Sequence, residues 1–80
     1  MPSEKQRLEF LAANLRAAML EKHWSQEQLE AESGVSQGTI SNTLNARNEP
    51  GCITLLRLSR ALGKTMDKML AAPRRQKIPA

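Results

Sequence analysis

Eighty residues make one domain, and a chain this short buries only about 60–65% of its unfolded surface, so its core is small. With 40% hydrophobic residues, one Trp, one Phe and no Tyr, that core is aliphatic; no apolar run approaches the roughly 18 residues of a membrane span, and the lone Cys52 excludes an internal disulfide. Net charge is +4 but uneven: residues 1–35 hold four basic and six acidic side chains, residues 36–80 eight basic and two acidic, which fits a polyanion met by the C-terminal half or a merely solvated basic surface.

In chain order, Pro2 and Ser3 lead into a first helix over about residues 4–22, where Leu8, Leu11, Leu15, Ala18 and Met19 recur at three- and four-residue steps and make one buried face. His23 and Trp24 form a link, and Trp24 is expected to close on the next helix as a hydrophobic staple. Residues 25–45 read as two short helices. Ser25 caps the first of them, and Gln28 three residues later completes a capping box. Leu29 and Ala31 are its apolar anchors, and Gly34 supplies the left-handed position that ends it. Val35 fits the turn. Ser36 caps the following helix, whose Ile40 and Leu44, four apart, form a buried stripe. That helix bears amide and hydroxyl side chains and no charge. Residues 46–51 are a loop by composition. A fourth helix runs from about Ile53 to Leu62 on Leu55, Leu56, Leu58, Ala61 and Leu62, with Cys52 expected as a small buried hydrophobe at its start. Gly63 ends it. Thr65 caps a last short helix over about Met66 to Leu70. The domain therefore spans residues 1–72, and residues 73–80 read as a basic, poorly ordered tail. The fold class is all-α with five helices.

The stretch Ser25, Gln26, Glu27, Leu29, Gly34, Val35, Ser36, Thr39, Ile40 and Ser41 resembles the Cro and phage-repressor type helix-turn-helix, the XRE family. A second block, Pro50, Leu55, Leu56, Leu58, Ala61, Leu62 and Gly63, matches the same family downstream, so the resemblance covers about residues 8–70. It implies a DNA-binding transcriptional regulator, with the third helix in the major groove. Three positions depart from the family: Glu30 stands where a small residue is usual, and Ser33 and Thr43 stand where apolar ones are usual. Many relatives pair an arginine in helix 1 with a glutamate near the end of helix 3. Those positions are Met19 and Leu44 here, and exchange of a buried ion pair for apolar groups is often neutral or stabilising. Met19 is expected to pack on Leu44.

Gln37 is the first candidate for reading a base, since a carboxamide near the start of a groove-bound helix can pair bidentately with adenine. The resemblance places a base-reading glutamine there. The alternative is an exposed polar residue on a helix that never touches DNA. Gly38 cannot read a base but permits close backbone approach. Thr39 offers a methyl to thymine or a hydroxyl to phosphate, or is a plain surface residue. Ser41 and Asn42 lie one turn on, and Asn42 matches a DNA-contacting position in relatives. Ser36 belongs with them at the helix start. Gln26, by resemblance, bonds a phosphate and braces the start of helix 3; otherwise it is a local capping residue. Asn45, Arg47 and Asn48 fall in a region that relatives use for phosphate contacts, which position the protein without reading sequence.

Met66, Met69 and Leu70 cluster on the last helix, through which family members often dimerise. A homodimer would set two recognition helices about 34 Å apart on double-stranded DNA, at a near-palindromic operator. Antitoxins of toxin–antitoxin pairs share this fold, so a protein partner such as a toxin is the competing expectation. His23 and Cys52 do not make a metal site. Gly63-Lys64-Thr65 ends like a phosphate loop, but Leu58 stands where that motif needs glycine. No catalytic set stands out, no cofactor is expected, and without a signal peptide the chain is expected in a reducing cytoplasm.

Overall fold

In the computed structural model, which describes residues 3–73, local end signals account for most of the helix boundaries. The helices are α1 (Glu4–Lys22), α2 (Gln26–Ser33), α3 (Gln37–Leu44), α4 (Cys52–Ala61) and α5 (Met66–Leu70), and no strand occurs among the described residues. Apart from Pro73, the basic tail lies outside those residues.

Side-chain caps open four of the five. The Ser25, Ser36 and Thr65 oxygens accept from the backbone N–H of Gln28, Thr39 and Lys68 respectively. At α1 the full reciprocal box forms instead between Ser3 and Gln6, each accepting from the other's backbone N–H. The box expected at α2 is only half made: the Gln28 amide donates forward to Glu32 Oε1 at 3.0 Å. Gly34 ends α2 at φ 75°, where a Cβ would be strained, and Gly63 at φ 68° follows α4.

The helices enclose one apolar centre. Leu15, Leu29, Ile40 and Leu58, one from each of α1 to α4, are 0% exposed, and Met69 of α5 is 1% exposed. Each such side chain contributes about 1.5–3 kcal/mol by burial. Helix α1 packs on α3 and α5, α2 on α3 and α4, and α4 on α5. Met19 is buried within this centre, and Leu44 packs against the centre from the end of α3, so both positions are occupied by apolar groups of the same cluster.

Several expectations are corrected. Ala31 is exposed and anchors nothing. Leu44 is half-buried, while Thr43 takes the deep position at 2% exposure; three residues beyond Ile40 is as much the inner face as four. Cys52 is exposed although it shares the face of Leu55 and Ser59, because it is the first residue of α4 and the buried part of that helix begins one turn further on. Trp24 is half-buried against the centre rather than within it, with Lys22 Nζ 5.2 Å from its ring centroid. Met69 belongs to the centre, so its side chain is withdrawn from any partner surface; Met66 is half-buried and Leu70 36% exposed.

The five-residue α5 is too short to persist alone. One residue of α1 holds it: Asn14 Nδ2 lies 2.7 Å from the Met69 carbonyl, 2.8 Å from that of Ala71 and 3.2 Å from that of Lys68. These are the orphan acceptors of a helix C-terminus. Asn14→Ala should cost about 1–2 kcal/mol. Asn14→Asp should cost more, since a carboxylate then faces carbonyl oxygens at the negative end of the helix. Thermal melts of the two variants check the order, at about 4–8 °C per kcal/mol for a domain of this size.

Candidate nucleic-acid interface

Helix α3 is eight residues long and bears Gly38, two threonines and an asparagine, all weak helix formers. It stands because its inner face and both ends are occupied. Ile40 and Thr43 are buried, and the Thr43 hydroxyl donates to the Thr39 carbonyl at 2.9 Å, which satisfies it without a partner from the core.

At the N-terminus the Ser36 hydroxyl accepts from the Thr39 N–H at 3.3 Å and donates to Thr39 Oγ1 at 2.9 Å. A second acceptor comes from α2: Glu30 Oε2 receives the Gln37 N–H at 2.7 Å. Gly34 lets the chain double back so that these groups meet, and Ser33 tightens the turn by donating to the Leu29 carbonyl and accepting from the Val35 N–H. At the C-terminus Asn45 Nδ2 donates to the Ser41 carbonyl at 2.9 Å, and Arg16 of α1 brings a guanidinium to 3.4 Å from the Leu44 carbonyl, a cation at the negative end of the helix.

With structure carried on that inner face, the outer face is left to side chains that hydrogen-bond. Gln37 and Gly38 are exposed, and Thr39, Ser41 and Asn42 are half-buried. Gln37 with Ser41, and Gly38 with Asn42, are each four residues apart and so stacked on adjacent strips of one surface. Asn42 and Thr39 also line a cleft of about 200 Å³ against Asn48, Glu49 and Thr54. Arg47 and Asn48 are exposed in the loop beyond. Gln26 is half-buried at the first turn of α2. Asn45 is exposed but its amide donor is engaged by its own helix, which narrows its part in any contact to its oxygen. The candidate residues from Gln26 to Asn48 thus belong to α2, the turn that caps α3, α3 itself and the loop after it, while Met66 and Leu70 belong to α5.

Two groups in this region were not anticipated as participants. Glu30 registers in the sequence only as a departure from a small residue. Gly51 begins α4 with no side-chain cap, unlike the starts of the other four helices. Among the described residues no three His, Cys, Asp or Glu side chains gather as metal ligands would.

A helix-turn-helix whose second helix turns neutral donors and acceptors outward defines a class, the DNA-binding regulators of all-helical fold. Comparison with known proteins agrees. The helix-turn-helix family matches residues 15–69. An uncharacterized HTH-type transcriptional regulator, y4dJ, of Sinorhizobium fredii is 39% identical over 54 residues, covering 68% of this chain and 70% of that protein. The crystal structure of a hypothetical transcription factor, NHTF, from Neisseria superposes with a TM-score of 0.81 at 27% identity, covering 91% of this chain and 84% of that one. The chain belongs to the XRE-type helix-turn-helix family and is a non-enzymatic DNA-binding transcriptional regulator.

One backbone position at the exit of α3 inverts the usual residue preference. Ala46 sits at φ 54°, where a Cβ costs roughly 1–2 kcal/mol. The turn it makes is held by the Ala46 N–H on the Thr43 carbonyl at 3.1 Å and the Arg47 N–H on the Asn42 carbonyl at 2.9 Å. Ala46→Gly should stabilise the fold by about 0.5–1 kcal/mol once the extra unfolded-state entropy of glycine is subtracted. Urea unfolding midpoints of the variant and the native chain check the sign.

Proposed function

We propose that α3 is the recognition helix of a sequence-specific repressor, entering the major groove with Gln37 and Asn42 toward base edges. The observation that carries this reading is the neutral, outward, hydrogen-bonding surface of α3 on a helix otherwise tied down from within. A neutral amide surface holds DNA weakly without base pairing partners and so discriminates among sequences. Ser36, Thr39 and Ser41 flank the reading residues. Arg47 and Asn48, with Gln26 at the start of α2, are suited to the sugar-phosphate backbone, and Asn45 offers its carboxamide oxygen beside them.

A homodimer on a near-palindromic operator extends the reading. Its contact would use Leu70 and the exposed part of Met66 on α5, with Met69 beneath them in the core. Two α3 helices set about one helical turn apart would then double the number of base contacts.

The glycine on α3 also favours this function. A Cβ at Gly38 would meet nothing within 4 Å, so no internal packing requires glycine there. Glycine in a helix costs about 0.5–1 kcal/mol relative to alanine, and close approach of a DNA strand would account for keeping it.

Gln37→Ala should cost about 1–3 kcal/mol on a duplex selected from a random pool and relax specificity at one base pair. A binding titration in which selected and random duplexes weaken equally would refute the base-reading role. Gly38→Ala should raise stability by about 0.5–1 kcal/mol while weakening binding to the same duplex. A variant that is more stable and binds as tightly would remove the close-approach argument; melts and titrations on one preparation decide it.

A further inference from the structure

We infer that Glu30 is a positioning and specificity-determining residue, a carboxylate brace that sets the angle of the recognition helix from α2. The inference rests on the recognition-helix reading proposed above and adds a residue outside α3 to it.

The geometry is local and directional. Glu30 lies in the last turn but one of α2, and its backbone carbonyl accepts the Gly34 N–H at 2.9 Å, closing that helix. Its side chain then crosses the turn to take the Gln37 N–H at 2.7 Å, seven residues on. Ser36 cannot serve that donor, because its hydroxyl is engaged with the Thr39 N–H and Thr39 Oγ1. The one residue therefore fastens the end of α2 to the first amide of α3. A charge-assisted bond of this length is shorter and stronger than a neutral one, and its charge also suits the positive end of the helix.

Gln37 is the residue whose amide is fastened and whose side chain is the first candidate to meet a base. Movement of its backbone by a fraction of an ångström changes where a bidentate carboxamide lands, and bidentate pairing is steep in geometry. A small side chain at position 30, as in relatives by resemblance, would leave that amide to water. The same carboxylate sets a negative charge beside the helix start, which opposes any approaching phosphate on every sequence alike.

The test uses the full chain, a duplex selected by that chain from a random pool, and an unselected random duplex. In E30A the ratio of selected to random affinity should fall by about threefold to tenfold, the worth of one charge-assisted hydrogen bond partly replaced by water. The Gln37 amide proton should shift upfield and exchange faster. In E30Q the amide oxygen still accepts from Gln37, so the ratio should stay near the native value while both affinities rise about twofold to fivefold at low salt. Position 30 is exposed and alanine is a good helix former, so both variants should keep the native circular dichroism spectrum. A ratio in E30A within about twofold of native, beside a Q37A ratio that collapses, overturns the brace and leaves the recognition helix standing. An E30Q ratio as low as that of E30A overturns the hydrogen bond as the cause. Unchanged ratios in E30A and Q37A together overturn both readings.

Discussion

An eight-residue helix has too few internal hydrogen bonds to offset the entropy of its own nucleation, and α3 is made of residues that favour helix weakly. Its existence is a tertiary event. Ile40, fully enclosed with Leu15, Leu29 and Leu58, is the contact on which the rest depends, because it joins α3 to the same apolar centre that orders α1, α2 and α4. Thr43 extends that contact without leaving a polar atom unpaired, since its hydroxyl returns to its own helix. With inner face and ends secured, the outer face carries no structural duty. That separation is what allows it to consist of groups chosen for another surface.

Charge follows the same division. Of the six net positive charges on residues 36–80, three come from Arg74, Arg75 and Lys77, beyond the described residues. Helix α3 contributes none, and the α2 helix packed on it carries Glu27, Glu30 and Glu32. The charge on α3 and α2 themselves therefore adds no attraction to a polyanion, which falls to neighbours such as Arg16 and Arg47. On the proposed binding mode, discrimination among sequences weighs more heavily there than nonspecific grip, because hydrogen bonding to base edges is less screened by salt than contact with phosphate.

The helix ends were legible in the sequence because their causes are local. Ser25, Ser36, Thr65, Gly34 and Gly63 act within three or four residues, and the chain order alone locates them. The Ser3–Gln6 box had the same signature and was equally readable. Burial at the margins was less so. Ala31 and Cys52 are apolar residues on outward positions, and a choice between Thr43 and Leu44 depends on a rotation that composition does not reveal. The contacts that cross the fold were opaque. Asn14 reaches α5 more than fifty positions on, and Glu30 reaches Gln37 only because Gly34 reverses the chain. Neither pairing follows from residue type. Of the candidate site, the residues facing outward on α3 were evident from spacing, and the group that holds their helix in place was not.

Ala46 and Gly38 show how differently the two ends of α3 are constrained. At Ala46 the left-handed backbone is forced by the turn that carries the chain from Asn42 to Arg47, and the methyl group has some return: it forms part of the wall of a shallow groove with Ala12, Ala13, Ala17 and Leu44. Burial of about one methyl group recovers part of the strain, so the position is a compromise within the fold. Gly38 has no such internal return. Its backbone is free of positive φ, its surroundings are open, and alanine would fit. A residue that lowers stability with nothing inside the molecule to offset it directs attention outward, to whatever approaches that surface closely. On the same helix Gln37 and Asn42 flank the gap that the missing side chain leaves, which makes the opening continuous with the hydrogen-bonding groups on either side of it.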